Sequence, residues 1–307
     1  MMRIAVVGAG GVGGYFGGRL AATGTDVTFV ARGAHLDALR THGLRINSPK
    51  GNLHLPRVSA TNDPATIGPV DIVFFTVKLY DSEAATSMLP PLLGPTTAVI
   101  PFQNGVDGVD IITRAVGQSH TAGGTAYVSA VIAEPGVIRH TAMDHLIFGE
   151  LDGRRSARLE QLLDACQPAG FQSTFSSSIN VDIWTKFVRL SVFSGMTAVT
   201  RCPIGVIVND PDLLEMLKAA VREATGVAQA KGIAVPDDGP DRVEVAYKAL
   251  PPQAKASMLE DLERGRHLEL PWLSGAVVRI GREVGVDTPV HRFIAAVLKP
   301  YANGSPD

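Results

Sequence analysis

The chain has 307 residues, of which 45% are hydrophobic and 19% are charged, and its formal net charge is −2. This length favours two domains, each able to bury a core of its own. The small net charge gives no sign of a nucleic-acid partner, and no apolar run approaches the roughly 20 residues that a membrane span needs. Cys166 and Cys202 form neither a disulfide framework nor a metal-ligand pattern, which predicts a metal-free protein of the reducing cytoplasm.

The N-terminus predicts a site for a dinucleotide. Residues 4–7 are apolar, as in a short buried strand, and an apolar helix stripe follows over 15–21. Between them lies a G-x-G-x-x-G turn, whose residues are the expected cofactor contacts: Gly8, Ala9, Gly10, Gly11, Val12 and Gly13. In such a turn the glycines allow a tight bend, close approach of a pyrophosphate and close packing of helix on strand. The alternative is a glycine-rich turn that binds no ligand.

The second predicted strand, at 26–30, indicates which dinucleotide is bound. NAD-binding domains usually carry Asp or Glu after this strand, where the carboxylate holds the ribose hydroxyls. Here the strand is followed by Ala31-Arg32-Gly33. A guanidinium binds phosphate through a bidentate fork, so Arg32 favours NADPH, with its 2′-phosphate, over NADH. The alternative is a solvated arginine on a loop.

Two further buried strands end in polar residues. The apolar runs at 70–77 and 98–102 are followed by Lys78 and by Gln103-Asn104-Gly105. Open α/β sheets bind ligands at the carboxyl ends of their strands. Lys78 and Asn104 are therefore candidate cofactor contacts, although each, taken alone, is better explained as an ordinary loop residue.

The segment that follows is rich in strands. Residues 125–132 and 137–140 form a predicted hairpin around Glu134-Pro135-Gly136, and residues 145–148 form a further strand. We expect these strands to add mixed or antiparallel pairs to the same sheet. The polar run Ser176-Ser177-Ser178 marks the predicted boundary, with a Rossmann-type α/β domain over 1–177 and an all-α domain over 178–307.

Beyond this boundary the predicted elements are helices. A long apolar helix covers 179–200, and a second begins at Asp210 as N-cap with Pro211 at the first helical position and ends at Gly232. Further helices are predicted at 242–250, 253–264, 271–284 and 290–301.

Lys186 is the first candidate for chemistry in this second domain. It lies in the helix at 179–200 among apolar neighbours, and helical spacing places Leu190 and Ser194 on the same face, which could meet a small polar substrate. One interpretation is a surface lysine whose stem packs on apolar residues. The other is a desolvated lysine with a lowered pKa that acts as a proton donor.

A second cluster lies around Ser257 and Glu269. Ser257 and Asp261 are four residues apart and share a helix face, and Glu269 lies just before Pro271 at the start of the next predicted helix. A carboxylate in that position could serve the site or could cap that helix.

These motifs, in this order and at these separations, resemble the ketopantoate reductase family over nearly the whole chain. The resemblance rests on G-A-G-G-V-G at 8–13, Arg32, T-V-K at 76–78, Q-N-G at 103–105, I-W-T-K at 183–186, C-P-I-G at 202–205, S-M-L-E-D at 257–261 and Glu269. It implies an N-terminal Rossmann domain and an all-helical C-terminal domain. It also implies NADPH-dependent reduction of a branched 2-oxo acid, with 2-dehydropantoate to (R)-pantoate, in pantothenate biosynthesis, as the type reaction. It leaves a homodimer open.

The resemblance also implies roles for individual residues. Lys186 would be the general acid, and Asn104 would contact the cofactor and order the site. Ser257 would bind the substrate carboxylate, and Glu269 would lie near the nicotinamide ribose and the substrate hydroxyl, as both a catalytic and a cofactor-binding residue.

The chain departs from the family pattern where the substrate is expected to bind. The family carries asparagines four and eight residues after the lysine, where this chain has Leu190 and Ser194, and a third where it has Arg201. The usual Ile-Asp after Glu269 is Leu270-Pro271, and Ser274-Gly275 replaces Asn-Gly. Leu190 cannot hydrogen-bond, and Arg201 is expected to add positive charge near the same helix face. These changes predict that ketopantoate is a poor substrate and that a more apolar or more acidic 2-oxo acid is better.

Two other functions fit the same fold. The first is a D-2-hydroxyacid dehydrogenase of this superfamily, which an acidic residue near position 32 would have favoured in its NAD-linked form. The second is a non-catalytic NADPH sensor, which loss of Lys186 or Glu269 would have favoured. The sequence shows no acid beside Arg32 and retains both catalytic candidates.

Overall fold

The computed structural model describes residues 2–236 and 239–306, without the side chains of 239–241. The chain divides into two compact units. The first unit is Met1–Gln103 with Asp107–Ile179, and the second unit is Asn104–Val106 with Asn180–Asp307. The second unit therefore includes a short segment that is remote from it in sequence, and this segment contains the candidate Asn104.

In the residues described, the first unit contains the strands together with helices, and the second unit contains helices. The strands are β1 (Arg3–Val7), β2 (Asp26–Val30), β3 (Leu44–Asn47), β4 (Leu53–Leu55), β5 (Ser59–Thr61), β6 (Val70–Phe75), β7 (Leu93–Pro101), β8 (Gly123–Glu134), β9 (Val137–Gly149) and β10 (Gln172–Phe175). The helices are α1 (Gly11–Ala22), α2 (Gly33–His42), α3 (Ser82–Ala85), α4 (Gly108–Val116), α5 (Ala157–Cys166), α6 (Ile179–Thr200), α7 (Ile204–Asn209), α8 (Pro211–Ala230), α9 (Gly239–Lys248), α10 (Ser257–Glu263), α11 (Ser274–Val284) and α12 (Pro289–Leu298).

A parallel sheet with the order β5-β2-β1-β6-β7 forms the centre of the first unit, as far as the structure describes it. Its central strand β1 is buried on both faces, because Ile4 and Val6 belong to one core cluster while Ala5 and Val7 belong to another. Two-sided burial explains the uninterrupted apolar run of this strand. The predicted Rossmann-type architecture is confirmed, and the ends of β2 and β6 flank the turn that follows β1.

The expectation that the later strands join this sheet is wrong. Strands β8 and β9 belong to a second, mixed sheet with the order β10-β9-β3-β4, in which β8 pairs with β9. The two strands expected at 137–140 and 145–148 are also one continuous strand. A bulge divides its pattern, because Val128 pairs with Asp144 and Ser129 with Ala142, which leaves Met143 as the extra residue. Met143 has a φ of 55°, and such a bulge shifts the alternation of side chains.

The secondary structure of the second unit consists mainly of helices in the residues described, as expected. Helix α6 has the predicted bounds, with Trp184 and Phe187 in one core cluster and Val192 and Met196 in another. The N-cap of α8 is also confirmed, because the Asp210 carboxylate accepts the N–H groups of the second and third helical residues at 3.0 and 2.9 Å.

Helix α10 begins at Ser257 and not at residue 253 as expected. The residues before it bond to the start of α7, where the Ile204 and Gly205 N–H groups donate to the carbonyls of Ala254 and Pro252 at 2.9 Å each. These contacts hold the segment out of a helix. Among the described residues, no helix is both long enough and apolar enough to cross a membrane.

Candidate active site

The turn after β1 is closed by glycines on one side and open on the other. Gly8 has a φ of 100°, and a Cβ there would lie 2.7 Å from the backbone nitrogen of Val77. A Cβ at Gly13 would lie 2.3 Å from the Gly8 carbonyl oxygen, whereas one at Gly10 would meet no described atom within 4 Å. Because α1 begins at Gly11, its first N–H groups have no partner within the helix. The residues therefore fit the pyrophosphate of a dinucleotide.

Two side chains that the sequence analysis did not single out support this turn. Thr76 follows β6 and its hydroxyl donates to the Gly8 carbonyl at 2.7 Å. Gln103 follows β7, and its amide nitrogen donates to the Val77 carbonyl and to the Ser82 hydroxyl, each at 2.7 Å. Both residues lie in motifs quoted above, but their supporting role depends on strand neighbours that the motifs alone do not specify.

Arg32 lies at the end of β2 and pairs with an acid from a different loop. Its Nη2 is 2.8 Å from Oδ2 of Asp81, and its side chain is 80% exposed. Asp81 follows β6 and lies three residues beyond the half-buried Lys78. Since β1 lies between β2 and β6, this ion pair crosses the end of β1. Exposed ion pairs of this kind are weak, so Arg32 can exchange its partner for a phosphate.

In the second unit, Lys186, Asn104 and Glu269 form a hydrogen-bonded chain. Lys186 Nζ on α6 donates to Oδ1 of Asn104 at 3.1 Å, and Nδ2 of Asn104 donates to Oε2 of Glu269 at 3.2 Å. Glu269 is 5% exposed and makes no capping bond to the helical turn Leu270–Trp272 that it precedes. Lys186 is thus not a solvated surface lysine, and the capping interpretation of Glu269 is wrong.

This environment changes the acidity of the lysine. Desolvation by burial lowers the pKa of Lys186 to about 8, and the charge of Glu269 opposes that shift. A lysine with a pKa near 8 remains largely protonated at neutral pH and releases its proton far more readily than a solvated lysine. The arrangement suits a general acid.

The other predicted substrate contacts differ in their surroundings. Leu190, one turn beyond Lys186, is half-buried and packs against the core of the second unit. Ser194, a further turn along, is 1% exposed, and its hydroxyl has no hydrogen-bond partner among the described residues. Ser257 is the exposed first residue of α10 and is not part of the chain formed by Lys186, Asn104 and Glu269.

The expectation that Arg201 adds charge near Lys186 is wrong. Arg201 follows the last residue of α6 with a φ of 56°, is exposed, and places its guanidinium carbon 5.5 Å from the centre of the Tyr301 ring. At 1.5 Å per residue, the helix separates it from Lys186 by about 22 Å along the axis. The structural reason for preferring an acidic substrate is therefore lost.

A nucleotide-binding parallel sheet and a helical unit with a desolvated lysine define a dinucleotide-dependent oxidoreductase. Residues 4–153 match the family model for ketopantoate reductase PanE/ApbA, and residues 178–302 match its C-terminal model. The chain is 31% identical to a 2-dehydropantoate 2-reductase of Mesorhizobium japonicum, over 98% of both chains. It therefore belongs to the ketopantoate reductase family, and it is an NADPH-dependent oxidoreductase of that type.

Solved structures agree with this assignment. The 2-dehydropantoate 2-reductase of Geobacter metallireducens superimposes with a TM-score of 0.91 at 28% identity, covering 97% of this chain and 99% of the other. A D-mandelate dehydrogenase, solved with NADH and anilino(oxo)acetate, shares the fold with a TM-score of 0.89 at 22% identity, over 98% of both chains.

Proposed function

We propose that this protein reduces a branched 2-oxo acid of the 2-dehydropantoate type to its 2-hydroxy acid, with Lys186 as the general acid. The observation that carries the proposal is the hydrogen-bonded chain of Lys186, Asn104 and Glu269, together with the lowered pKa of the lysine. In this proposal the first unit binds NADPH and the second unit binds the substrate.

In the first unit, the cofactor would be held by the glycine turn at 8–13, by Arg32 and by Lys78. When bound, NADPH supplies the hydride that reduces the keto carbon. The N–H groups at the start of α1 would neutralise the pyrophosphate, and the Arg32 guanidinium would bind the 2′-phosphate.

The second unit would supply the proton. The Lys186 ammonium would donate to the keto oxygen as negative charge develops there. The Asn104 amide has one possible orientation between Lys186 and Glu269, because an ammonium can only donate hydrogen bonds and a carboxylate can only accept them. Glu269 thus fixes the amide so that its oxygen faces Lys186 and directs the ammonium. Ser257 would bind the substrate carboxylate, with Leu190 and Ser194 along the same helix face as Lys186.

A D-2-hydroxyacid dehydrogenase is the second candidate. Asp81 supports it, because a carboxylate 2.8 Å from Arg32 could accept hydrogen bonds from the ribose hydroxyls of NADH. Leu190 supports it as well, because an apolar side chain suits a substrate without a second hydroxyl.

The test is oxidation of NADPH and NADH by the purified protein against a panel of 2-oxo acids that includes ketopantoate. Lys186→Met should lower kcat by roughly 10²–10⁴-fold and leave the dissociation constant of NADPH near normal. Lys231→Met, at an exposed lysine of the same unit, is the matched control. The proposal fails if no 2-oxo acid is reduced, or if Lys186→Met retains most of its turnover.

For location and assembly we propose a cytoplasmic homodimer. The thiols of Cys166 and Cys202 are free, which supports a reducing compartment. Light scattering on the purified protein would measure the mass of the assembly, and a monomer at micromolar concentration would contradict the dimer.

A further inference from the structure

His35 lies in the first turns of α2 and makes two hydrogen bonds outside that helix. Its Nε2 is 2.8 Å from the Ala9 carbonyl oxygen, and the Gly136 N–H donates to its Nδ1 at 3.1 Å. Because Nδ1 accepts a hydrogen bond, the ring proton is on Nε2, which donates to Ala9. Burial lowers the pKa of His35, which keeps the ring in this neutral form.

The Ala9 carbonyl belongs to the peptide that leads into the open side of the turn. In a trans peptide, the carbonyl of one residue and the N–H of the next point in opposite directions. Fixing the Ala9 carbonyl on the imidazole therefore also fixes the Gly10 N–H, which points away from His35. Gly10 is the glycine at which an added Cβ would meet no described atom within 4 Å.

The other partner of His35 is itself held firmly by the second sheet. Gly136 lies in the turn between β8 and β9, and its carbonyl accepts the Arg45 N–H of β3 at 2.9 Å. The same hairpin supports the turn at another point, because a Cβ at Gly11 would lie 1.9 Å from the Ala130 carbonyl oxygen. The second sheet thus offers a rigid support from which His35 reaches the turn.

We propose that His35 is a positioning residue for the cofactor: its neutral imidazole links the second sheet to the Ala9–Gly10 peptide and presents the Gly10 N–H to the pyrophosphate. The inference rests on the proposed function, since the ligand concerned is NADPH. It assigns a binding role to a side chain that need not touch the cofactor.

Three substitutions separate the two bonds of the ring. In His35→Gln the amide nitrogen reaches the position of Nε2 and keeps the donor to Ala9. In His35→Asn the amide oxygen takes the position of Nδ1 and keeps the acceptor for Gly136. His35→Ala removes both bonds, and His42→Ala, at an exposed histidine of the same helix, is the control.

The dissociation constant of NADPH would be measured by fluorescence titration, together with the melting temperature of each variant and kcat and KM for NADPH. Loss of one such hydrogen bond should weaken NADPH binding by about 3- to 10-fold in His35→Ala. We expect His35→Gln to retain most of the affinity for NADPH and His35→Asn to retain little of it. The kcat of the His35 variants should stay close to that of the wild type.

Other outcomes overturn the inference. If His35→Ala binds NADPH as the wild type does and only its melting temperature falls, the residue is merely structural. If His35→Asn restores NADPH binding as well as His35→Gln does, the bond to the Ala9 carbonyl does not position the cofactor. Comparing these two variants tests the inference even if His35→Ala does not fold. If the wild type binds no NADPH, the proposed function fails too, whereas tight wild-type binding with unaffected variants overturns this inference alone.

Discussion

The acidity of Lys186 depends on two opposing neighbours. Desolvation favours the neutral amine, and the Glu269 carboxylate favours the ammonium, with desolvation the larger effect. Asn104 hydrogen-bonds to both groups and so links the ammonium to the carboxylate. In the proposed function, this balance of the two effects lets the ammonium give its proton to the substrate.

This balance predicts a pH dependence. In the wild type, kcat/KM should fall above about pH 8 as the Lys186 ammonium loses its proton. Since the charge of Glu269 raises the pKa of Lys186, Glu269→Gln should move this fall to lower pH. Rates between pH 6 and 10 would measure it, with Glu263→Gln on α10 as the control. An alkaline limb at an unchanged pH in Glu269→Gln would contradict the coupling.

Arg32 and Asp81 predict opposite effects on cofactor choice. Arg32→Ala should weaken the binding of NADPH by about 1.5–3 kcal/mol, which is the contribution of a hydrogen bond to a charged group. Asp81→Asn should instead strengthen NADPH binding by up to about fivefold, because the 2′-phosphate no longer competes with a carboxylate for Arg32. The limit is about fivefold because an exposed ion pair contributes less than about 1 kcal/mol. KM values for NADPH and NADH would measure both changes. Equal use of both cofactors by the wild type would argue against Arg32 as a phosphate ligand.

Helix α12 begins at a carboxylate from another helix. Pro289 is its first residue and has no N–H, so the first free donors are those of Val290 and His291. Glu223 of α8 accepts both, at 2.8 and 3.0 Å. The two helices are therefore joined by a pair of charge-assisted bonds that also satisfy the start of α12.

Removing this cap should destabilise the second unit. We expect Glu223→Ala to lower the free energy of unfolding by about 1.5–3 kcal/mol, because two buried N–H groups lose a charged acceptor. Glu215→Ala on the same helix removes an exposed ion pair with Arg222 and should change the free energy of unfolding by less than about 1 kcal/mol. Urea unfolding followed by circular dichroism would compare them, and equal losses in both variants would contradict the capping role.

Elements with one strong local pattern could be predicted from the sequence, and elements set by distant contacts could not. Strand β1 can be predicted because burial on both faces gives an uninterrupted apolar run, and helix α6 because its apolar residues recur at helical spacing and pack in two core clusters. Strand β9 was divided in two because the bulge at Met143 shifts its alternation. The start of α10 was misplaced because carbonyls of Pro252 and Ala254 bond to α7, which no local pattern records.

The candidate site follows the same rule. The turn at 8–13 could be predicted because its strand, glycines and helix follow one another in the sequence, whereas the role of Arg32 as a phosphate ligand stays a prediction. The partners of these residues could not be predicted, since Asp81 is 49 residues from Arg32 and Gly136 is 101 from His35. Lys186, Asn104 and Glu269 were linked only through the family resemblance, because up to 165 residues separate them.

In the proposed function, the first unit determines which cofactor is bound and the second unit determines which substrate is bound. The features that favour NADPH match the family pattern, including the glycine turn and Arg32. The departures lie in the second unit, at Leu190, Ser194, Arg201, Leu270-Pro271 and Ser274-Gly275. Arg201 lies about 22 Å along the helix from Lys186, whereas Leu190 and Ser194 share the helix face of Lys186, and we expect these two positions to change the substrate.

Leu190 is therefore the position that we expect to decide between 2-oxo acids. If the hydroxyl of ketopantoate faces this side chain, it loses a hydrogen bond, and a buried unpaired hydroxyl costs about 1–3 kcal/mol. An apolar wall discriminates only weakly among substrates that lack the hydroxyl. We expect 2-oxoisovalerate to have a higher kcat/KM than ketopantoate, phenylglyoxylate to be tolerated, and 2-oxoglutarate to gain nothing.

Leu190→Asn should reverse this preference, because its amide can pair with the hydroxyl. The ratio of kcat/KM for ketopantoate to that for 2-oxoisovalerate should rise by about tenfold, the equivalent of one hydrogen bond of roughly 1.4 kcal/mol. Leu213→Asn, at a half-buried leucine packed on the same core cluster, is the control for a polar group in that environment. If wild-type enzyme already prefers ketopantoate by a wide margin, another side chain supplies the bond and Leu190 does not determine the substrate.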